Sequence, residues 1–354
     1  MLTALNLQQP DRVPVWELAF NESSIIGIAR HFTEDVPPLK PVSDMELEEK
    51  IQLFDAMCTL VDELDLDGIT LLPLGPREKI DPKRFRDGWG IVYHLSDHGS
   101  PYPIEGPIND TSDLKTFTLG SPEPGELMGL HYALQKFDGR RAMVFHTAGP
   151  FKLSWSLRGA MEKLLMDYML QPRLAHELAR ITTDYYMEFH SMAIDAGADV
   201  IALEGDLAFN TNSLMSPDQY GEFIGPYHKE IVDNVHRKGA KIFKHTDGNL
   251  WPILDLMVEA GFDGIHPIQP QCMDIGQVKR HLTGRACVLG NIDCMYILCD
   301  ATIDEVRENV RQTIEAAAPG GGYIMSSSNS VHPGCRPENY IAMVHAAREY
   351  GKYE

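Results

Sequence analysis

The residues able to do chemistry in this 354-residue chain gather at one kind of place, just after a short apolar run. Glu17, His146, Glu204, His245, His266 and Asn291 each close such a run. Asp206, Asp247, Gln269, Asp293, Asn329, His332 and Cys335 follow within a few residues. His245 and Asp247 stand two apart in an extended segment, so their side chains project to the same side. Imidazole, carboxylate and thiolate are the ligand types of a catalytic zinc that keeps one open position. The candidate set is His245, Cys335 and one or two of Glu204 and Asp247. Simpler roles exist for the same residues. Asp247 could cap a helix starting near Leu250, and Cys335 could be a bystander thiol.

The elements that must position these groups alternate along the whole chain. Short β-rich runs fall at Val13–Glu17, Asp67–Leu72, Ala142–Thr147, Asp199–Glu204, Lys241–His245, Asp263–Ile268, Cys287–Asn291 and Gly322–Ser326. Each is too brief for a helix and apolar enough to be covered on both faces. Helices with clear punctuation lie between them. Ser216 with Gln219, and Thr302 with Glu305, form capping-box patterns, and Gly225-Pro226 must kink or split the helix that follows the first box. Pro337 opens the last helix and Gly351 closes it. Eight strands alternating with helices predict an α/β fold, a (β/α)8 TIM barrel formed by residues 1–354 as one domain. Such barrels carry their active sites where the strands end, which is where the polar residues fall. Residues 73–125, rich in Pro, Gly and Asp, predict an insertion between the second and third strands. It is expected over the barrel mouth, either as a lid or as an inert surface excursion. Gly90–Ser96 reads as half of a hairpin.

Composition narrows the partners. Against 31 basic residues stand 51 acidic ones, a net charge of −20, which argues against nucleic acid and anionic membrane surfaces. No apolar run approaches the ~20 residues needed to span a bilayer, and Met1–Asp11 lacks the pattern of a signal peptide, so a cytoplasmic protein is expected. Six cysteines without a C-x-x-C pair predict reduced thiols. Gly320-Gly321-Gly322 precedes a strand rather than a helix and is therefore no phosphate cradle; neither a G-x-S-x-G elbow nor a G-x-G-x-x-G fingerprint occurs.

Several motifs, in order along nearly the whole chain, resemble the uroporphyrinogen-decarboxylase superfamily. They are Asp11-Arg12-Val13-Pro14-Val15, Lys244-His245-Thr246-Asp247-Gly248, Gly261 to Pro267, Gly290-Asn291-Ile292-Asp293, Pro319 to Tyr323, and His332-Pro333-Gly334-Cys335. The resemblance implies a (β/α)8 barrel and one of two chemistries. True decarboxylases of the superfamily carry an arginine-rich segment after the first strand to grip a polycarboxylate. The matching stretch here, Trp16 to Glu22, is acidic. The other branch comprises corrinoid-dependent methyltransferases that bind zinc through a His-x-Cys pair and a distant Cys. By resemblance His245 and Cys335 keep two of those ligands, while Asp247 stands at the middle cysteine's place. Zinc with one thiolate and more oxygen ligands is a harder Lewis acid, suited to polarising the oxygen of a methyl ether.

The expectation is thus a zinc-dependent methyltransferase. It would move a methyl group between a small substrate (methyl ether, methanol, methylamine or thiol) and cobalamin carried by a corrinoid protein. His245, Cys335 and Glu204 are the expected ligands, with Asp247 as a fourth ligand or a supporting partner, and His146, Asn291 and Asp293 would orient the substrate. A metal-free lyase would need a cationic mouth, for which Arg77, Lys152 and Arg158 are the candidates; a non-catalytic barrel binding a corrinoid or tetrapyrrole is the third possibility. A homodimer is left open.

Overall fold

The computed structural model describes residues 1–96 and 101–353. Eleven strands occur among them: β1 (Gly68–Leu71), β2 (Arg77–Asp81), β3 (Arg84–Asp87), β4 (Val92–Leu95), β5 (Pro101–Glu105), β6 (Ala142–Ala148), β7 (Val200–Glu204), β8 (Lys241–His245), β9 (Gly264–His266), β10 (Cys287–Leu289) and β11 (Tyr323–Ile324). Seven of them form one parallel sheet in the order β1-β6-β7-β8-β9-β10-β11, so each strand after β1 adds beside its predecessor in that sheet. Helices fill most of the crossovers, as parallel neighbours require.

The expected first strand, Val13–Glu17, is not a regular strand. It makes a single parallel bridge, Val15 to Met325. Pro14 has no N–H to offer a ladder, yet its carbonyl accepts from Met325 N at 2.9 Å while Trp16 N donates to the Met325 carbonyl. On the other side Asp67 N donates to the Val15 carbonyl at 2.8 Å. The segment is therefore hydrogen-bonded to the end of β11 and to the residue just before β1.

Period-two alternation decides what faces the interior enclosed by this sheet. Trp16, Leu18, Val144, Val200, Ala202, Phe243, Cys287, Leu289 and Ile324 pack as one inner cluster, with Ala4 and Leu5 of the N-terminal helix joining it. His146, Glu204 and His245 each stand two residues beyond an inner-cluster residue of the same strand and share its face. An apolar interior with a polar upper layer follows from alternation alone.

Helix punctuation matches the sequence pattern. Ser216 and Thr302 each accept from the backbone three residues on in full capping boxes, and helix Pro217–Phe223 gives way to helix Gly225–Arg237. Asp247 caps no helix near Leu250, since the next one is Leu254–Glu259.

Between β1 and β6 the chain forms a separate four-stranded antiparallel sheet, β2-β3-β4-β5, where the sequence pattern suggests only half a hairpin. Strands β2 and β3 are rich in charged and exposed residues, which erases the hydrophobic alternation that marks a strand. Arg158 secures the following segment: its Nη1 donates to the carbonyls of Ile108 and Asn109, and its Nε pairs with buried Asp167 at 2.7 Å. Gly106 approaches so closely that a Cβ there would overlap the Leu157 carbonyl. No helix among the described residues is long and apolar enough to cross a membrane.

Candidate active site and metal centre

Two buried histidines on adjacent strands, His245 and His266, are register partners and set the tautomers of the site. Ser326 Oγ donates to the Ser327 carbonyl at 2.9 Å, so it receives the Nε2 proton of His266 at 3.1 Å. His266 Nδ1 is then a lone pair, which accepts from His245 Nδ1 at 2.8 Å. Burial pushes the imidazole of His245 down to about 3 and that of His266 well below its usual value, so both rings are neutral and one proton lies between them. His245 is left with an unprotonated Nε2, the form that binds a metal.

Around that ring stand two carboxylates. Among the described residues, donor atoms of Asp206, His245 and Asp247 lie within 4.8 Å of one another. Asp247 N donates to Asp206 Oδ1 at 3.0 Å, and Asn329 Nδ2 donates to Asp247 Oδ2 at 2.6 Å. Asp247 Oδ1 is buried without a hydrogen-bond partner. Burial first, then the charge of Asp206, raises the Asp247 carboxyl to about 7. Two crowded carboxylates, one oxygen orphaned, and an imidazole holding a free lone pair fit a divalent cation. The set is oxygen-rich and hard.

A second polar group flanks the first. Glu204 is paired with Lys152 and lies 3.6 Å from His146 Nε2. Burial would raise the Glu204 carboxyl, but the Lys152 cation paired with it holds it at about 2. His146 is buried, its two ring nitrogens have no hydrogen-bond partner, and burial lowers its pKa, leaving a neutral imidazole. Lys244 is buried beneath them, its Nζ donating to the carbonyls of Leu203, Gly205 and His245. Desolvation brings its ammonium down to about 7.

The structure does not gather every expected residue at this centre. Cys335 groups with Cys299 and His332, not with His245, because the turn after β11 folds back over the loop that follows β10. The residue that reaches Asp247 from that turn is Asn329. Asn291 Nδ2 donates to the Ile268 carbonyl, and Asp293 accepts from Met295 N in its own turn, so each is engaged locally. Of the cations a polyanion would need, Arg158 is buried against Asp167, Lys152 is paired with Glu204, and Arg77 lies over the Phe85 ring.

Glu17 is buried on the other face of its segment. Ser327 Oγ donates to Glu17 Oε1 at 2.7 Å, with the Asn329 carbonyl 2.5 Å from the same hydroxyl, and Ser327 N donates to Oε2 at 3.1 Å. Burial, partly against an apolar cavity of about 210 Å³ lined by Phe20, Phe54 and Met57, outweighs these bonds and raises the carboxyl to about 8.

Sequence reasoning gave Asp206, Asn329 and His266 no role, although each stands at a strand end. Asp206 lies two residues past Glu204, the same spacing that drew notice to His245 and Asp247. Lys152, which the sequence offers only as a candidate cation of the mouth, is three residues past Gly149 in the first turn of helix Pro150–Leu157, directly after β6.

A parallel α/β sheet with an imidazole–carboxylate cluster at its C-terminal strand ends defines a class of enzyme-like architecture. The family model for Uroporphyrinogen decarboxylase (URO-D) matches residues 88–350, and the chain belongs to that family. It is 24% identical over 367 residues to "Uroporphyrinogen decarboxylase" of Coxiella burnetii (strain Dugway 5J108-111), covering 99% of this chain and 94% of that protein. It is also 27% identical over 170 residues to "Methylcobamide:CoM methyltransferase MtaA" of Methanosarcina barkeri, covering 48% and 47% of the two chains. Among solved structures, a methyltransferase from Methanosarcina mazei shares the fold with a TM-score of 0.75 at 20% identity, covering 99% of this chain and 97% of that one.

Proposed function

We propose that this chain is a metal-dependent methyltransferase that moves a methyl group between a small substrate and a corrinoid protein. It works in a (β/α)8 barrel whose eighth stave is the Val13–Glu17 segment. The observation that carries the reading is the His245–Asp206–Asp247 cluster, with a relay that bares His245 Nε2 and a carboxylate oxygen lacking any partner. His245 and Asp247 would hold the ion, with Asp206 as the further oxygen donor. Zinc bound there would supply Lewis acidity toward the substrate heteroatom. The oxygen-rich donors favour an oxygen substrate, such as a methyl ether or methanol, over a thiol.

The chain's own residues supply the rest. Neutral His146, unpartnered and beside Glu204, can accept or return a proton at Nε2. Lys152 keeps Glu204 ionised, so the carboxylate can stabilise the imidazolium that forms. The four-stranded sheet β2–β5, within residues 73–125, serves as the cover that limits water at this mouth. The relatives named as decarboxylases favour the competing lyase reading; against it, the cations that would bind a polycarboxylate are already paired or exposed on β2. The test is to supply the zinc-loaded protein with cob(I)alamin and a panel of methyl ethers, methanol and methylamines. Appearance of the methylcobalamin spectrum supports the reading. No methyl transfer from any donor, together with carbon dioxide release from a porphyrinogen, would replace it with the lyase.

A further inference from the structure

A second group of metal-ligating side chains lies outside the centre just described. Cys299, in the loop after β10, meets His332 and Cys335, in the turn after β11, with one donor atom from each within 4.8 Å of the others. All three converge on a single oxygen. Cys299 Sγ is 3.1 Å, His332 Nε2 2.9 Å and Cys335 Sγ 3.6 Å from the carbonyl of Cys294. Cys299 Sγ and His332 Nε2 are 3.8 Å apart. From ordinary zinc–sulfur and zinc–nitrogen bond lengths, the S···N edge of a zinc tetrahedron is about 3.5 Å. That edge thus stands within a few tenths of an ångström of the tetrahedral value.

We infer that Cys299, His332, Cys335 and the Cys294 carbonyl form a structural site for a d10 divalent cation, zinc above all, separate from the His245 cluster. Two thiolates cancel the charge of one divalent ion, and imidazole and carbonyl complete four closed positions, so no place is left for a substrate. The protons balance simply. Binding releases the two thiol protons to solvent, and the His332 proton moves from Nε2 to Nδ1. Gly334 N now donates to Nδ1 at 3.1 Å, so its peptide turns away as the ring changes tautomer. Gly334 is an exposed glycine and is free to do so. The site ties together the two loops that follow β10 and β11. The second of these also carries Asn329, the donor to Asp247, so an ion here fixes one wall of the candidate active site from behind.

The test uses the whole chain, stripped by chelator and titrated with cadmium, whose thiolate complexes absorb in the ultraviolet. The charge-transfer band is expected in the wild type and in His245→Ala, weaker by one thiolate's share in Cys299→Ser, and lost in Cys299→Ser/Cys335→Ser. Absence of the band in the wild type, its survival in the double variant, or its loss in His245→Ala would each overturn the site. The last outcome would assign the thiols to the His245 centre instead. Should the double variant not fold, zinc protection of the wild-type thiols gives the answer. Zinc should slow alkylation of Cys299 and Cys335 while leaving half-buried Cys272 unprotected, and equal alkylation of all three with and without zinc would refute the inference.

Discussion

Replacing Glu17 by glutamine separates the proton bookkeeping of one buried carboxyl from everything else in the chain. The carboxyl is raised from 4.5 to about 8 in the fold, chiefly by burial against hydrocarbon, with hydrogen bonds from Ser327 and Leu18 pulling the other way. A raised acid binds its proton in the native state and has lost it in the unfolded one over that window. Its contribution is therefore complete below about pH 4.5 and fades as pH climbs through about 8. A difference of 3.5 units (8 minus 4.5) at ~1.36 kcal/mol each sets a ceiling of about 5 kcal/mol on the loss. Glutamine cannot titrate. Its amide, however, can accept at only one of the two oxygen positions, and Leu18 N and Ser327 N donate one to each, so one backbone N–H loses its partner at a cost of about 1–3 kcal/mol. Urea unfolding at pH 4.5, 6.5, 8 and 9 should show the wild type ahead only at the acid end, the two curves crossing between about pH 5 and 7, where ~1.36 kcal/mol per unit has offset that cost, and the variant more stable at pH 8. A wild-type minus variant difference that stays constant across the range would refute the neutral-acid assignment.

Other perturbations address the remaining supports. Arg158→Met strands the charge of buried Asp167 and frees the Ile108 and Asn109 carbonyls, so it should cost about 3–5 kcal/mol in a urea melt. A loss under 1 kcal/mol would mean the pair is not the anchor described. His266→Phe removes the acceptor that fixes the His245 tautomer and should weaken zinc binding about 10–100-fold in a competition titration, with the fold unchanged by circular dichroism. Unaltered affinity would dissolve the relay argument. His146→Gln should keep the bound zinc yet lower kcat about 10²–10⁴-fold, since its imidazole is the unpartnered proton carrier. Full activity would remove that role.

What the sequence made legible was set by local physics. A run such as Val200–Glu204 was readable because a strand covered on both faces is apolar almost throughout, here up to its closing Glu204. Ser216-Pro217 and Thr302 announced helix starts because caps are local chemistry. The Val13–Glu17 segment reads as a strand for its apolar residues, but Pro14 breaks the ladder and leaves a single bridge. Strands β2 and β3 were hidden because charged residues on both faces carry no period. Within the site, His245 and Asp247 were legible as a pair since their spacing alone puts them together. The neighbours of Cys335 were not. Whether a thiol two strands and a turn away meets His245 or Cys299 depends on how a loop folds back, which no spacing records.

The most direct trial of the central claim is an anomalous difference map at the zinc edge, from crystals of the chain purified with zinc. A peak within about 2.0–2.2 Å of His245 Nε2 and an Asp247 oxygen is the predicted result. Zinc-loaded crystals showing no density between those two side chains would contradict it, and the methyl-transfer chemistry built on that ion would fall.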